Sequence, residues 1–201
     1  MPHRYAAIAF TDQVKRFQED AGSRDSYARM EARDGEHNGV LTQREQDFLA
    51  LRDSFYLASV SETGWPYVQH RGGDTGFVQV LDERTLGFAD YRGNKQYVSL
   101  GNVTQDDRVA LFFMDYPHRR RLKVYGRMHA IGPEDAHFDR LAGASESHAT
   151  KIERGFVIQV EAFDWNCPQY ITERFTAAEV EQAVAPLHAR IAELEAKLES
   201  R

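Results

Sequence analysis

The chain is poor in sulfur, in basic charge and in long apolar runs, and each shortage excludes something. One cysteine, Cys167, among 201 residues leaves no internal disulfide and no multi-cysteine zinc site. No uninterrupted apolar run exceeds the six residues of Val109 to Met114, whereas a membrane-spanning helix needs about 20. Met1-Pro2-His3-Arg4-Tyr5 holds no apolar signal core. Lys and Arg total 25 against 31 Asp and Glu, a net charge of −6, so the basic footprint of a general nucleic-acid binder is missing. Walker and Gly-x-Gly-x-x-Gly sequences are absent, as are His-Glu-x-x-His and Gly-x-Ser-x-Gly. His129, His137 and His148 have no histidine four residues away, which argues against a metal site. What the chain does have is apolar residues at 42% and aromatics at 11%, enough for a sizeable core. The expectation is a soluble, cytoplasmic protein with no membrane or nucleic-acid partner.

The first 53 residues read as a helical segment. Thr11 can cap a short helix through Val14 and Phe17, and a second passes Tyr27 and Met30. Gly35 to Gly39 reads as a turn. Thr42-Gln-Arg-Glu45 is a capping box before the apolar residues Phe48, Leu49 and Leu51. The texture then changes. Alternating runs at 55–60, 65–70, 76–81, 85–88, 108–115, 122–131 and 156–163 are joined mostly by short turns. About seven strands so closely spaced predict an antiparallel barrel or sandwich. Between them, 95–100 reads as a short helix and Pro133-Glu-Asp as the start of another.

Three stretches could carry chemistry. Gln69-His-Arg-Gly-Gly73 ends a strand, with a forked cation at Arg71 and, at Gly72, room for backbone amides to approach a ligand. Asp90-Tyr-Arg-Gly-Asn-Lys-Gln96 follows another strand. If Lys95 lies in the first turn of a helix it opposes the helix dipole, a conflict that an anionic ligand would remove. A phosphate pocket around Arg71 and Lys95 and a pair of solvated cations are both open readings. His118-Arg-Arg-Arg-Leu-Lys123 is the one dense basic run. As a strand it places Arg119, Arg121 and Lys123 on one face, for nucleic acid or for a phosphate or flavin contact. Cys167 reads as a small buried hydrophobe.

The last stretch is different again. Val180, Val184, Leu187, Ile191, Leu194 and Leu198 are spaced 4, 3, 4, 3, 4, a heptad seam on one helix interrupted by Pro186. Packing on its own barrel is the leading expectation, and a dimer-forming helix is the other.

Residues 42 to 171 resemble the FMN-binding split-barrel proteins, the pyridoxamine 5′-phosphate oxidase-like family. The resemblance rests on the succession Arg52-Asp-Ser-Phe-Tyr56, Gly64 to Gly73, Leu86 to Gln96, Arg108 to Phe113, Arg121 to Gly126 and Asn166-Cys-Pro-Gln-Tyr-Ile171. It implies a six-stranded antiparallel split barrel with flanking helices at 54–173, preceded by the helical segment 1–53 and followed by the C-terminal helix at 174–201. It also implies a homodimer with FMN at the interface. Gln69, His70, Arg71 and Gly72 would contact the cofactor, and Asp90, Asn94 and Lys95 would surround its phosphate. One cation of the family's Arg-Lys pair is replaced by Asn94. Arg121 stands where the family has a glutamine near the flavin ring, a position that favours the anionic reduced flavin. Trp165 and Gln169 would reach the flavin of a second copy. The Arg-Leu-His substrate motif of the vitamin-oxidising members is replaced by Asn166 to Ile171. The resemblance therefore implies a flavin-dependent oxidoreductase acting on a small molecule other than pyridoxamine phosphate. The alternative is a flavin- or haem-binding split barrel without turnover, with His70 as the axial candidate.

Overall fold

In the computed structural model, which describes residues 3–32, 38–165 and 168–200, one antiparallel sheet carries the fold. Its strands are β1 (Ser54–Val60), β2 (Pro66–Gly72), β3 (Gln79–Asp82), β4 (Thr85–Tyr91), β5 (Arg108–Asp115), β6 (Arg120–Ile131) and β7 (Ile152–Trp165), in the order β2-β1-β5-β6-β7-β4-β3. The count is seven, one more than the family's six. The helices are α1 (Arg4–Ala9), α2 (Asp12–Asp20), α3 (Arg24–Glu31), α4 (Gln43–Ala50), α5 (Val98–Gln105), α6 (Phe138–Gly143) and α7 (Ala177–Glu199).

The sheet must curl. Three strands separate β1 from β4, so in a flat sheet they would lie about 19 Å apart at roughly 4.8 Å per strand. Yet the rings of Phe55 on β1 and Phe88 on β4 are 5.2 Å apart, and Phe88 meets Phe156 at 5.5 Å. Phe55, Phe77, Phe88, Phe113 and Phe156 fill the barrel interior. Strand alternation sends them inward, Val109, Leu111 and Phe113 on β5 being buried while Ala110, Phe112 and Met114 are not. α4 closes one end with Phe48 and Leu49, which belong to the same core. Its capping box forms as expected, Thr42 N donating to Glu45 Oε2 at 3.0 Å. α5 is fastened by Asn102 Nδ2 donating to Ser59 Oγ at 2.9 Å.

Several expectations are corrected. The short helix expected over 95–100 is α5, beginning at Val98. Asn94 Oδ1 instead accepts from Gln96 N at 3.1 Å, a side-chain turn that competes with helix, and Lys95 and Tyr97 are left-handed, at φ 59° and 53°. Pro133 lies in a turn for a similar reason: Asp135 Oδ1 accepts from His137 N at 2.8 Å, and α6 starts only at Phe138. The basic run is not one strand face, because Arg119 is left-handed at φ 51° and faces Glu173 at 3.4 Å. α1 had no counterpart among the expected helices. It lies outside the barrel, with Tyr5 stacked on Tyr125 at 5.3 Å. Finally, α7 does not pack its stripe on its own barrel, since none of its residues is buried. Ile171 is the last buried residue, and 172–178 run along the surface. The turn expected at 35–39 falls partly outside the described residues, and Asn166 and Cys167 wholly so.

Candidate functional site

The barrel has a seam. β2 is an edge of the sheet and β4 is the strand next to the other edge, so neither completes a ladder with the other. Across this gap Arg71 Nη1 on β2 donates to Asp90 Oδ1 on β4 at 2.5 Å. Both side chains are nearly enclosed, 16% and 9% exposed. β2 leaves the seam through Gly73, where a side chain could not fit: a Cβ would stand 2.7 Å from Phe77 Cγ and 2.8 Å from Tyr91 Oη.

Beside the charge pair lies a small open cleft. Gln69 and Arg71 form one wall, Asp90 and Tyr91 the other, and the loop with Asn94 and Lys95 and the start of α5 form the third. Five of the ten expected cofactor residues, Gln69, Arg71, Asp90, Asn94 and Lys95, thus come together. Each is held differently. Gln69 Oε1 accepts from Ser99 Oγ at 3.0 Å. Asn94 uses its carbonyl oxygen to shape the loop. Lys95 is exposed and lies two residues before the helix N-cap rather than in its first turn.

The electrostatics favour an anion. Tyr97 is the N-cap residue of α5 and offers no side-chain bond, so the first amides of that helix, at Val98, Ser99 and Leu100 along the cleft, lack a cap. Arg71 Nε is buried without a hydrogen-bond partner among the described residues, and so is Arg154 Nε. Arg154, on β7, sits directly opposite Asp90 in the ladder and brings Nε to 3.4 Å from Asp90 Oδ2. Its guanidinium lies over the Tyr97 ring at 5.0 Å. Burial raises the Asp90 carboxyl above its ordinary range despite the opposing Arg71 and Arg154 charges. Two cations, Arg71 and Arg154, thus flank one buried carboxylate, and Lys95 lines the cleft beside them, next to uncapped amides that suit a phosphate.

Arg154 was missed from sequence. Its signal is a cross-strand opposite-charge pair, visible only once β4 is known to pair with β7. The other expected residues do not line this cleft, although His70 and Gly72 line a smaller pocket beside it that shares Arg71 and Tyr91. His70 and Gly72 alternate to the opposite face of β2, where the His70 ring meets Tyr56 edge-on at 5.6 Å. His70 therefore faces away from the wall that Gln69 and Arg71 form. Arg121 shares the outer face of β6 with Lys123 and Tyr125. Trp165 ends β7 against α4: Nε1 donates to Glu45 Oε1 at 2.6 Å, and the ring lies edge-on to Phe48 at 4.8 Å. Gln169 stands in an exposed turn beyond it. Among the described residues, no three His, Cys, Asp or Glu are grouped to hold a metal ion, and no helix is long and apolar enough to cross a membrane.

Comparison with known proteins bears on the family and the fold. The sequence pattern of pyridoxamine 5′-phosphate oxidase matches residues 41–165, from the start of α4 to the end of β7. No curated protein matches the chain. Among solved structures, HupZ of Group A Streptococcus is similar at a TM-score of 0.51 and 15% identity, covering 67% of this chain and 98% of that one. An FMN-binding protein from Syntrophomonas wolfei subsp. wolfei is similar at a TM-score of 0.51 and 14% identity, covering 73% and 96%. At these identities the likeness is one of fold.

Proposed function

The chain belongs to the pyridoxamine 5′-phosphate oxidase family, and from that premise we propose that it is an FMN-dependent oxidoreductase acting on a small molecule, with its flavin site completed in a homodimer. The observation that carries the reading is the seam cleft, lined both by Arg71, whose buried Nε has no hydrogen-bond partner among the described residues, and by the N-terminus of α5, which has no side-chain cap. These donors fit a phosphate monoester, which brings strong acceptor oxygens and about −1.5 to −2 charge. The similar fold of the S. wolfei FMN-binding protein supports the choice of cofactor.

Bound flavin would supply the electron chemistry of the reaction. The chain's own residues bind and orient it. Arg71, Lys95 and the amides of Val98 to Leu100 hold the phosphate. Asp90 fixes the Arg71 guanidinium across the seam, and Ser99 fixes Gln69. Arg121, Trp165 and Gln169 do not line this cleft; in this reading Arg121 stands near the flavin ring, and Trp165 and Gln169 reach the flavin of a second copy.

The absorption spectrum of the purified protein tests the proposal. Flavin bands, with FMN released on denaturation, are expected. A Soret band would replace this reading by the haem-binding alternative. A flavin-loaded monomer in light scattering would refute the shared site.

A further inference from the structure

α7 is a helix of 23 residues with no buried residue, although its sequence is patterned for burial. Val180, Leu187, Ile191, Leu194 and Leu198 on its apolar stripe are 44% to 69% exposed. The helix is well started, since Thr176 N donates to Glu179 Oε2 at 2.7 Å and Glu179 N to Thr176 Oγ1 at 3.2 Å. A stripe with this period fits another helix, and three features of the sequence say which one.

The first is the type of residue at each seam position. The spacing makes Val184, Ile191 and Leu198 the a positions and Val180, Leu187 and Leu194 the d positions. Two of the three a residues, Val184 and Ile191, are β-branched and two of the three d residues, Leu187 and Leu194, are leucines, a pattern that favours two parallel strands over higher assemblies. The second is the charge beside the seam. Glu181, His188 and Glu195 occupy the e positions, while Ala183, Arg190 and Lys197 occupy g. In a parallel, in-register pair, g of one helix faces e of the next heptad on the other, which sets Arg190 against Glu195 twice over. In an antiparallel pair g faces g, so Arg190 and Lys197 would meet like charge. The third is Pro186. It falls at c, on the outer side, where its ring leaves the seam clear.

We propose that α7 pairs with α7 of a second copy as a parallel two-stranded coil. The pairing draws on the homodimer proposed above for its strength. The seam spans under three heptads and Pro186 removes one helix hydrogen bond, so the coil is marginal alone. Tethering both helices to an existing dimer raises their effective concentration to about the millimolar range. In one chain Arg190 pairs with Glu193 at 2.5 Å, and its five guanidinium donors allow a second acceptor across the seam.

Cysteine cross-linking of the full-length protein tests this, in a background where Cys167→Ser removes the native thiol. Leu194→Cys, at a d position, should form an intermolecular disulfide at least about tenfold faster than Ala189→Cys on the outer face, because only the seam brings two such thiols within bonding distance. Arg190→Glu should slow the Leu194→Cys link, and adding Glu195→Arg should restore it. Residues 190 and 195 are five apart, so they are not neighbours on one helix and rescue reports a contact between chains. Equal rates at positions 194 and 189, or no rescue, would overturn the coil. Light scattering on the same samples separates the two readings. A dimer without the Leu194→Cys link refutes the coil alone, whereas a monomer refutes the homodimer.

Discussion

Replacing Arg71 by alanine removes two interactions at once, and they can be measured separately. The first is the bridge to Asp90, at 2.5 Å between side chains that are 16% and 9% exposed. Breaking a buried pair from one side costs about 3–5 kcal/mol because the other charge stays buried. Arg154 remains 3.4 Å from Asp90 Oδ2, which places the expected loss at the low end, about 3 kcal/mol, or roughly 6–12 °C in melting temperature for a chain of this size. The loss should depend on pH. Burial already raises the Asp90 carboxyl above its ordinary range, and removing Arg71 raises it further. The folded state then holds its proton where the unfolded chain has lost it, so stability falls as pH rises through the raised value. Below the unfolded carboxylate range, near pH 3.9, the deficit should vanish. Arg71→Ala combined with Asp90→Asn should recover most of the stability at pH 7, since no buried charge is left unpaired. The second interaction is with phosphate. Loss of a charge-assisted contact is worth about 1.5–3 kcal/mol, roughly a tenfold to hundredfold weaker affinity in an FMN titration, and the double variant should not recover it. If the double variant is no more stable than Arg71→Ala, the account of the seam fails. If Arg71→Ala binds FMN as the parent does, the phosphate assignment fails.

Lys95→Ala should weaken FMN binding about tenfold, with little change in melting temperature because Lys95 is exposed; unchanged affinity in the titration would remove Lys95 from the site. Trp165→Phe keeps the ring against Phe48 but leaves Glu45 without its indole donor, and it should cost about 1.5–3 kcal/mol by thermal or denaturant unfolding, the range for hydrogen bonds to charged groups. Undiminished stability would refute the structural share of the indole–Glu45 bond, and unchanged flavin affinity would remove Trp165 from the proposed dimer site. Ending the chain before Thr176 should leave flavin occupancy intact and lower the melting temperature only modestly, since no α7 residue is buried on its own barrel and the proposed coil is marginal alone. Loss of flavin from a truncated protein that stays folded and dimeric would mean that α7 helps to form the site.

How much could be read from sequence followed how local each determinant is. The strands declared themselves because alternation on β5 and β6 is a property of neighbouring residues. The capping box at Thr42 is likewise contained within four residues. The loop before α5 was misread because its decisive contact, Asn94 Oδ1 with Gln96 N, competes with helix on equal local terms. Arg154 could not be found at all, because its value to the site depends on facing Asp90 across a ladder that joins distant segments. α7 showed the opposite failure. Its stripe was plain, but an apolar stripe does not say whether the surface it seeks is on its own chain.

The same contacts that close the barrel also build the cleft. No backbone ladder joins β2 to β4, and within the described residues a direct side-chain bridge between them is Arg71 to Asp90. That bridge uses Arg71 Nη1 and leaves Nε without a partner. Nearby, Lys95 and Tyr97 hold left-handed backbone, which costs non-glycine residues of order 1–3 kcal/mol each and persists only where surrounding contacts impose it. The Arg154 guanidinium over the Tyr97 ring is one such contact. A buried donor without a partner among the described residues, a helix start without a side-chain cap and a strained loop each lower stability, and Arg71, the start of α5 and the loop at Lys95 all line one cleft. A bound anion would relieve the first two together. Added FMN or inorganic phosphate should therefore raise the melting temperature of the parent protein in proportion to the logarithm of its concentration once binding saturates. The same additions should have little effect on Arg71→Ala at concentrations that saturate the parent. An equal shift in both proteins would mean that the anion binds elsewhere.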